Sequence, residues 1–399
     1  LIAALTAVSL STMTSCDGLG GGTDPIIDGI LVDENIAEDV TWESGNVYVL
    51  GGRITVLEGA TLTIEPGVIV KGQAGTGVNA TALLIARGGK LMAEGTATEP
   101  IIFTSLIDEI EPGQVESPNL EPTLNGLWGG VIVLGKAPIS ADAEAVQIEG
   151  IPASDLNGLY GGTVADDNSG VIRYVSIRHG GANIGEGNEI NGLTLGGVGT
   201  GTVIENVEIV SNQDDGIEWF GGSVSVSNAV VWNTGDDAID TDQAWSGTLD
   251  NFIVITPGDE CFELDGAEGT ATAAHTITNG TVVATTYDSE GEVAIAAEGL
   301  ADLDNKGDDD PGNSFLTMSN IYFKNLSLGQ DFDDNPAELT ASSLEATLPA
   351  DSLALSDFFK EGTDAFVTEV ADGANTVGAD VSAFSNWSWA AVAGALADL

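Results

Sequence analysis

The sequence predicts an all-β fold: a single-stranded parallel β-helix solenoid with a small, partly helical C-terminal cap. Three observations support this prediction. Short Val/Ile/Leu/Thr runs alternate with Gly pairs, a repeat of about 22 residues recurs, and helical apolar periodicity is missing before about residue 335. Repeats of short strands and Gly-rich turns are typical of solenoids. A leucine-rich repeat is disfavoured because no regular Leu framework is visible.

The repeat is clearest in the middle of the chain, where three segments align on one Asn each at steps of 22 and 23 residues. Insertions separate two further members from these three. Because equivalent residues of successive coils stack about 4.8 Å apart, we expect an Asn ladder at one corner. Its five members are Asn206, Asn228, Asn251, Asn279 and Asn320.

An acidic series keeps the same step. We expect its apolar positions, Ile217, Ile239 and Phe262, to point inward and the flanking acidic residues to form an external column. Cys261 takes a small-residue position and is predicted to be a buried thiol rather than a nucleophile. The candidate metal ligands of this series are Asp214, Asp215, Glu218, Asp236, Asp237, Asp240, Asp259, Glu260 and Glu263.

Such a column needs something to offset its own repulsion. Two unit charges about 4.8 Å apart repel by about 0.9 kcal/mol in bulk water. Ca²⁺, high ambient salt or raised pKa values could each offset this repulsion. Closely spaced carboxylates suit Ca²⁺, which makes it the candidate cofactor. The alternative is a solvated acidic face that salt screens.

A basic group precedes this column by one coil. Arg173, Arg178 and His179 fall within seven positions of a chain that has only 10 Lys+Arg and 2 His. They are candidate ligand-binding residues, and the alternative is that they pair with the neighbouring acidic coil.

Charge and composition limit the partners. The 62 Asp+Glu residues give a net charge of −52, which excludes nucleic-acid binding. Hydrophobic residues make up 43% of the chain and charged residues 18%, so a folded core is expected rather than disorder.

The composition shifts along the chain predict four parts. Residues 1–16 read as a signal peptide and lipobox with Cys16 as the lipidated residue, and residues 17–29 as a flexible tether. Residues 30–335 form the β-helix, and residues 336–399 the C-terminal cap and final coil. Within the latter, short helices are expected at 339–355 and 364–372, with the aromatic run 383–390 as a capping segment.

Three segments carry a family resemblance: ATLTIEPGVI at 60–69, PIIFTS at 100–105 and DDGIEWFGG at 214–222. Together they resemble secreted bacterial β-helix lipoproteins over roughly residues 30–390. The resemblance implies a right-handed, pectin-lyase-type β-helix, anchored by lipid at the outer membrane or cell surface. It implies no activity, and a monomer is expected.

The resemblance leaves enzyme and binding roles open. Asn212–Asp215 and Gly235–Ile239 are similar to two acidic motifs of polygalacturonases, but the Gly-His-Gly and Arg-Ile-Lys motifs of that family are missing. We therefore expect a surface protein used for binding, adhesion or structure, with polysaccharide and Ca²⁺ as candidate partners. The alternative is a polysaccharide-degrading enzyme, a glycosidase or a lyase.

Overall fold

A computed structural model describes most of the chain. The described residues are 28–184, 189–303, 314–333, 339–350 and 352–399. The predicted signal peptide with Cys16 lies outside these ranges, as does the predicted tether apart from its last two residues.

In the described part of the chain, twenty-eight short strands account for nearly all of the regular structure. The first fourteen are β1 Ile30–Val32, β2 Val40–Trp42, β3 Val47–Leu50, β4 Ile54–Val56, β5 Thr61–Ile64, β6 Ile69–Gly72, β7 Leu83–Ile85, β8 Lys90–Glu94, β9 Ile101–Ser105, β10 Val131–Leu134, β11 Val146–Gln147, β12 Leu159–Tyr160, β13 Gly170–Arg178 and β14 Leu193–Gly196. The others are β15 Val203–Val210, β16 Ile217–Phe220, β17 Val226–Trp232, β18 Ile239–Asp242, β19 Thr248–Ile255, β20 Glu263–Leu264, β21 Ala273–Val283, β22 Thr285–Tyr287, β23 Val293–Ala296, β24 Ala301–Asp302, β25 Ser314–Lys324, β26 Phe332–Asp333, β27 Thr340–Ala346 and β28 Val367–Glu369.

Two parallel sheets form the walls of the solenoid. A 15-stranded sheet contains β13, β15, β17, β19, β21, β25, β27 and β28 in that order, after the strands of the first coils. A nine-stranded sheet runs β4, β7, β10, β14, β16, β18, β20, β24 and β26. Because successive coils add parallel strands to both sheets, the predicted all-β parallel β-helix is confirmed. Two antiparallel hairpins, β11–β12 and β22–β23, project from the coils.

The 15-stranded sheet is bent along its length. β13 pairs with β8 through residues 170–173 and with β9 through residues 175–177. One long strand therefore continues two short strands of the preceding coil. Tyr174, between these stretches, has φ of 50°, a left-handed conformation. In later coils the aligned asparagines occupy this bend, at φ between 56° and 59°. Asn tolerates this conformation better than most residues, which explains the recurring Asn.

Amide hydrogen bonds confirm most of the predicted Asn ladder. The Asn251 Nδ2 donates to the Asn228 Oδ1 at 2.7 Å, and the Asn320 Nδ2 donates to the Asn279 Oδ1 at 3.0 Å. One rung differs, since the Asn279 Nδ2 donates to the Asp250 carboxylate at 2.7 Å rather than to Asn251.

The interior of the solenoid is apolar and stacked. Ile217, Ile239 and Phe262 are fully buried, as predicted, and so is the Cys261 thiol. The Trp219 and Trp245 rings stack with centroids 4.6 Å apart, and the His275 ring lies 5.3 Å beyond Trp245.

The described residues of 339–355 and 364–372, where short helices were predicted, form no α-helix. β27 lies in the first segment and β28 in the second, and both continue the 15-stranded sheet. Short 3₁₀ helices occur at Leu355–Asp357 and Thr363–Phe366. The open edge of the previous coil supplies ladder hydrogen bonds, which override the helix propensity of an Ala/Leu/Glu-rich sequence.

The aromatic C-terminal run covers a wall of the solenoid rather than its end. Phe384, Trp387 and Trp389 pack on Val230 and Ile253, on the outer face of the 15-stranded sheet. The one α-helix of the described residues, α1 Trp389–Val392, lies in this segment. No helix within the described ranges is both long and apolar enough to cross a membrane.

Candidate functional site: a buried carboxylate cluster

The acidic column lies on the nine-stranded sheet, in the register that the repeat predicted. Glu218 on β16 pairs with Asp240 on β18, and Asp240 pairs with Glu263 on β20. The column continues further, to Asp302 on β24 and Asp333 on β26. Acidic residues therefore occupy one position of five successive coils.

The column was expected on the outside of the solenoid, with a solvated face as the alternative to a cation site. Its central residues are covered rather than solvated. Glu218 is only 4% exposed and Asp240 only 7%. The segment that contains the β11–β12 hairpin packs on the outside of the nine-stranded sheet, where Ile148 and Tyr160 lie in one apolar cluster with Phe220. This segment covers what would otherwise be an exposed face.

A second acidic row lies beside the column at the preceding turn. The Asp237 backbone N–H donates to the Asp215 Oδ1 at 3.0 Å, and the Glu260 N–H donates to the Asp237 Oδ1 at 2.7 Å. Each of these carboxylates therefore binds the backbone of the following coil. This stacking function explains why the acidic motif repeats.

Carboxylate oxygens from the two rows converge on each other. One oxygen each from Asp214, Asp215 and Asp236 lie within 4.8 Å of one another. Asp215, Glu218 and Asp240 form a second group, in which one oxygen from each residue again lies within 4.8 Å of the others. Asp215 belongs to both groups. We refer to these five residues as the carboxylate cluster.

Asn191 stands at the end of the Asp215 and Asp237 row, one coil earlier. Its Nδ2 donates to the Glu149 Oε1 at 2.9 Å and also to the Glu218 carboxylate. Asn191 is fully buried, and its Oδ1 is without a hydrogen-bond partner among the described residues. Asn191 thus adds a neutral oxygen beside the carboxylate cluster.

Burial and mutual repulsion raise the pKa values of the cluster. Burial, followed by the charges of Glu149, Glu189 and Asp236, raises the pKa of Asp214 to about 8. Burial is also the main cause that raises the pKa of Asp236 to about 6, with the charge of Asp259 second. The pKa values of Asp215, Glu218 and Asp240 are well above their ordinary values for the same reasons.

The neighbouring carboxyl groups behave in the same way. Burial, with a hydrogen bond to Glu263, raises the pKa of Asp237 to about 11, and burial raises that of Glu260 to about 8. Groups with such pKa values hold protons at neutral pH unless a cation replaces them. Several hard oxygens at this spacing are the ligand set that Ca²⁺ prefers.

The family model for the pectate-lyase-like β-helix domain matches residues 34–389. The chain belongs to the pectate-lyase-like β-helix family. No curated protein and no solved structure matches the chain. Since one β-helix fold can carry unrelated functions, membership in this family establishes the fold and leaves the function to the site.

The basic candidates of this β-helix lie on the other sheet, on β13 and just after it. Arg178 is fully buried, and its Nη2 lies 3.7 Å from the Glu208 Oε2. Burial lowers the pKa of its guanidinium, and the negative charges of Glu208, Asp108 and Glu116 act in the opposite direction. The His179 Nδ1 is hydrogen-bonded to the Leu124 carbonyl oxygen.

Arg173, the third basic candidate, forms surface ion pairs. Its Nη1 lies 3.3 Å from the Glu94 carboxylate, and its Nε contacts Glu205. Arg173 and Arg178 therefore pair with carboxylates of the 15-stranded sheet, and His179 binds the turn that contains Leu124. Among the described residues, none of the three contacts the carboxylate cluster.

Sequence reasoning missed Glu149, Asn191 and Asp242 as neighbours of the cluster. Asp242 follows Asp240 by two positions on β18, so strand alternation could have placed it on the same face. Asn191 could have been found by extending the repeat one coil towards the N-terminus. Glu149 could not, because it comes from the covering segment, which lies outside the repeat.

Proposed function

We propose that this β-helix is an extracytoplasmic binding protein that holds Ca²⁺ in its carboxylate cluster and presents a rigid surface to glycans. The observation that carries the proposal is the meeting of five carboxylates, most of them buried, beside the Asn191 Oδ1, which has no hydrogen-bond partner among the described residues. A cation there would replace protons, relieve the repulsion and fix the covering segment through Glu149. We also propose that Cys16 is lipidated and that the lipid anchors the protein at the outer membrane or cell surface.

The cluster geometry favours binding over hydrolysis of the inverting type. An inverting glycosidase separates its two carboxyl groups by about 6.5–9.5 Å to admit water. Here carboxylate oxygens lie within 4.8 Å of one another. Burial also leaves little room for a sugar beside Glu218 or Asp240. A lyase would need a base near the cation, and the three basic candidates lie on the other sheet.

Calorimetry and melting curves with Ca²⁺ test the cation site. The wild-type protein, freed of metal with a chelator, is expected to bind Ca²⁺ saturably and to melt at a higher temperature once it is bound. Asp215→Asn keeps the acceptor oxygen for the Asp237 amide but removes a charge shared by both groups. This variant is expected to bind Ca²⁺ at least about tenfold more weakly. Glu99→Gln, at an exposed carboxylate elsewhere, is the matched control.

The outcomes separate the alternatives. Absence of heat and of a melting shift at millimolar Ca²⁺, or equal binding by Asp215→Asn, would refute the cation site. A screen of uronate-containing and neutral glycans, with and without Ca²⁺, tests glycan binding. Release of unsaturated products or reducing ends from any of these glycans would favour the enzyme instead. Membrane fractionation of a Cys16→Ala variant tests the anchor, and an unchanged membrane fraction would refute it.

A further inference from the structure

We propose that a second site, a pocket beside the end of the nine-stranded sheet, binds a doubly charged tetrahedral oxyanion: inorganic phosphate or a phosphate monoester. The pocket has a volume of about 310 Å³, at the lower end of the range for small-molecule sites. It lies between the turns that follow β4, β7 and β10 and the 3₁₀ helix Leu156–Gly158. It involves other coils than the carboxylate cluster and needs no cation there.

The pocket concentrates the few bases of a strongly acidic chain. Arg87 and Lys136 line it, on adjacent coils, because β7 and β10 are paired neighbours. Lys90 lies close by, since both it and Lys136 act on the carboxyl group of Asp167. Arg53 does not line the pocket but pairs with Asp155, the residue that caps the 3₁₀ helix beside it, so four of the 10 Lys+Arg residues lie in this region. Three carboxyl groups, those of Glu58, Asp155 and Asp167, lie among these four bases, which leaves an excess of one base. In a chain of net charge −52 even this small excess favours anions here over the rest of the surface.

Arg87 is the central residue of the proposal. Its Nη1 donates to the Gly161 carbonyl oxygen at 2.9 Å, which fixes the guanidinium. Within the described ranges it forms no ion pair, although the chain has 62 acidic residues. A guanidinium has five N–H donors in a planar fork, so most of them are left for a ligand.

Lys136 indicates how much charge the ligand must carry. Its Nζ lies 2.6 Å from the Glu58 Oε1, and the Glu58 side chain is 71% exposed. An exposed pair of this kind is weak and breaks readily. A ligand replaces Glu58 if it carries more negative charge than one carboxylate. A phosphate monoester carries about −1.5 to −2 at pH 7 and has three acceptor oxygens.

The opposite wall is rigid and partly apolar. The Arg53 Nη2 lies 2.9 Å from the Asp155 Oδ2, and the Asp155 Oδ1 accepts from the backbone and side-chain amides of Asn157. These contacts hold the 3₁₀ helix, which presents Leu156 with 74% of its surface exposed. The organic part of a phosphate monoester can contact this leucine while its oxyanion contacts Arg87.

Calorimetry on the full chain, in chelator and at constant ionic strength, tests the site with three probes: inorganic phosphate, glycerol phosphate and methyl sulfate. Both phosphates are expected to bind saturably, and the singly charged sulfate ester about tenfold more weakly. Equal affinity for the two phosphates would assign the free anion as ligand. Tighter binding of glycerol phosphate would assign the ester.

Variants keep the test decisive. Arg87→Gln is expected to weaken phosphate binding at least about tenfold, and Arg173→Gln, at an arginine outside the pocket, to leave it unchanged. Because Arg87 also binds Gly161, Lys136→Gln is measured in parallel and is expected to weaken binding without a change in melting temperature. No saturation with millimolar phosphate, or wild-type affinity in both pocket variants, would overturn the proposal.

Discussion

The Glu208 carboxylate accepts a hydrogen bond from the backbone N–H of Trp389, 181 residues further along the chain, at 3.0 Å. It also accepts the Ala390 N–H at 2.8 Å, so it binds the first amides of α1. Arg178 lies beside it, with its guanidinium carbon 4.9 Å from the centroid of the Trp389 ring. One buried ion pair therefore fixes the C-terminal segment to the middle of the solenoid.

Removing Glu208 is expected to release this segment. In Glu208→Ala, Arg178 keeps a buried charge without its partner and α1 loses two amide acceptors, which we expect to cost about 3–5 kcal/mol. Denaturant unfolding measures the loss, and limited proteolysis reports whether the last residues detach. The double variant Arg178→Met with Glu208→Leu should recover much of the stability. Equal instability of single and double variants would contradict this account.

The metal-free protein is expected to lose stability as pH rises. Folded-state pKa values of about 6 for Asp236 and about 8 for Asp214 exceed their ordinary value of 3.8. The folded state therefore binds more protons than the unfolded state, and stability that is complete below 3.8 is lost as pH rises through 6 and 8. Melting temperatures in chelator should fall over this range and those with Ca²⁺ should not. Parallel curves in the two conditions would argue against cation replacement of protons.

His275 should produce the opposite slope at acid pH. It is buried against Trp245, and burial lowers its pKa from 6.5 to about 4. The contribution of neutral His275 to the free energy of unfolding is complete above pH 6.5. About 3 kcal/mol of it is lost as the pH falls through the folded-state pKa of about 4. In His275→Phe this acid loss should disappear while the loss at high pH remains. A variant with an unchanged acid limb would show that other groups cause it.

The Asn ladder can be separated into a backbone part and a side-chain part. Asn228 has φ of 56° and accepts the Asn251 amide. Asn228→Ala should cost about 2–3 kcal/mol, since it loses hydrogen bonds and places in the left-handed region a residue that tolerates this conformation less well than Asn. Asn228→Gly removes only the hydrogen bonds and should cost about 1 kcal/mol less. Chemical denaturation measures both, and equal losses would show that backbone conformation is not the reason for the Asn.

The sequence repeat predicted those features of the structure that depend on a constant step between coils. The register of Glu218, Asp240 and Glu263, the inward Ile217 and the Asn corner all follow from steps of 22 and 23 residues. Asp302 and Asp333 were missed because insertions between their coils change the step. The burial of the column was missed because the covering hairpin comes from outside the repeat, and its packing depends on tertiary contacts alone.

The phosphate pocket illustrates the same limit. Arg87 and Lys136 are far apart in sequence and belong to the less regular first coils, so spacing gave no reason to group them. β27 is a further case, where local composition favours helix but the edge of β25 selects a strand.

The attachment of α1 to Glu208 has a consequence for biosynthesis. The outer face of β15, β17 and β19 is translated well before residues 384–396, which cover it. Until these last residues emerge, Val230, Ile253 and the charge of Arg178 stay open to water and to other chains. A truncated polypeptide therefore exposes an apolar surface in the middle of the solenoid, which proteases and chaperones can recognise as incompletely folded.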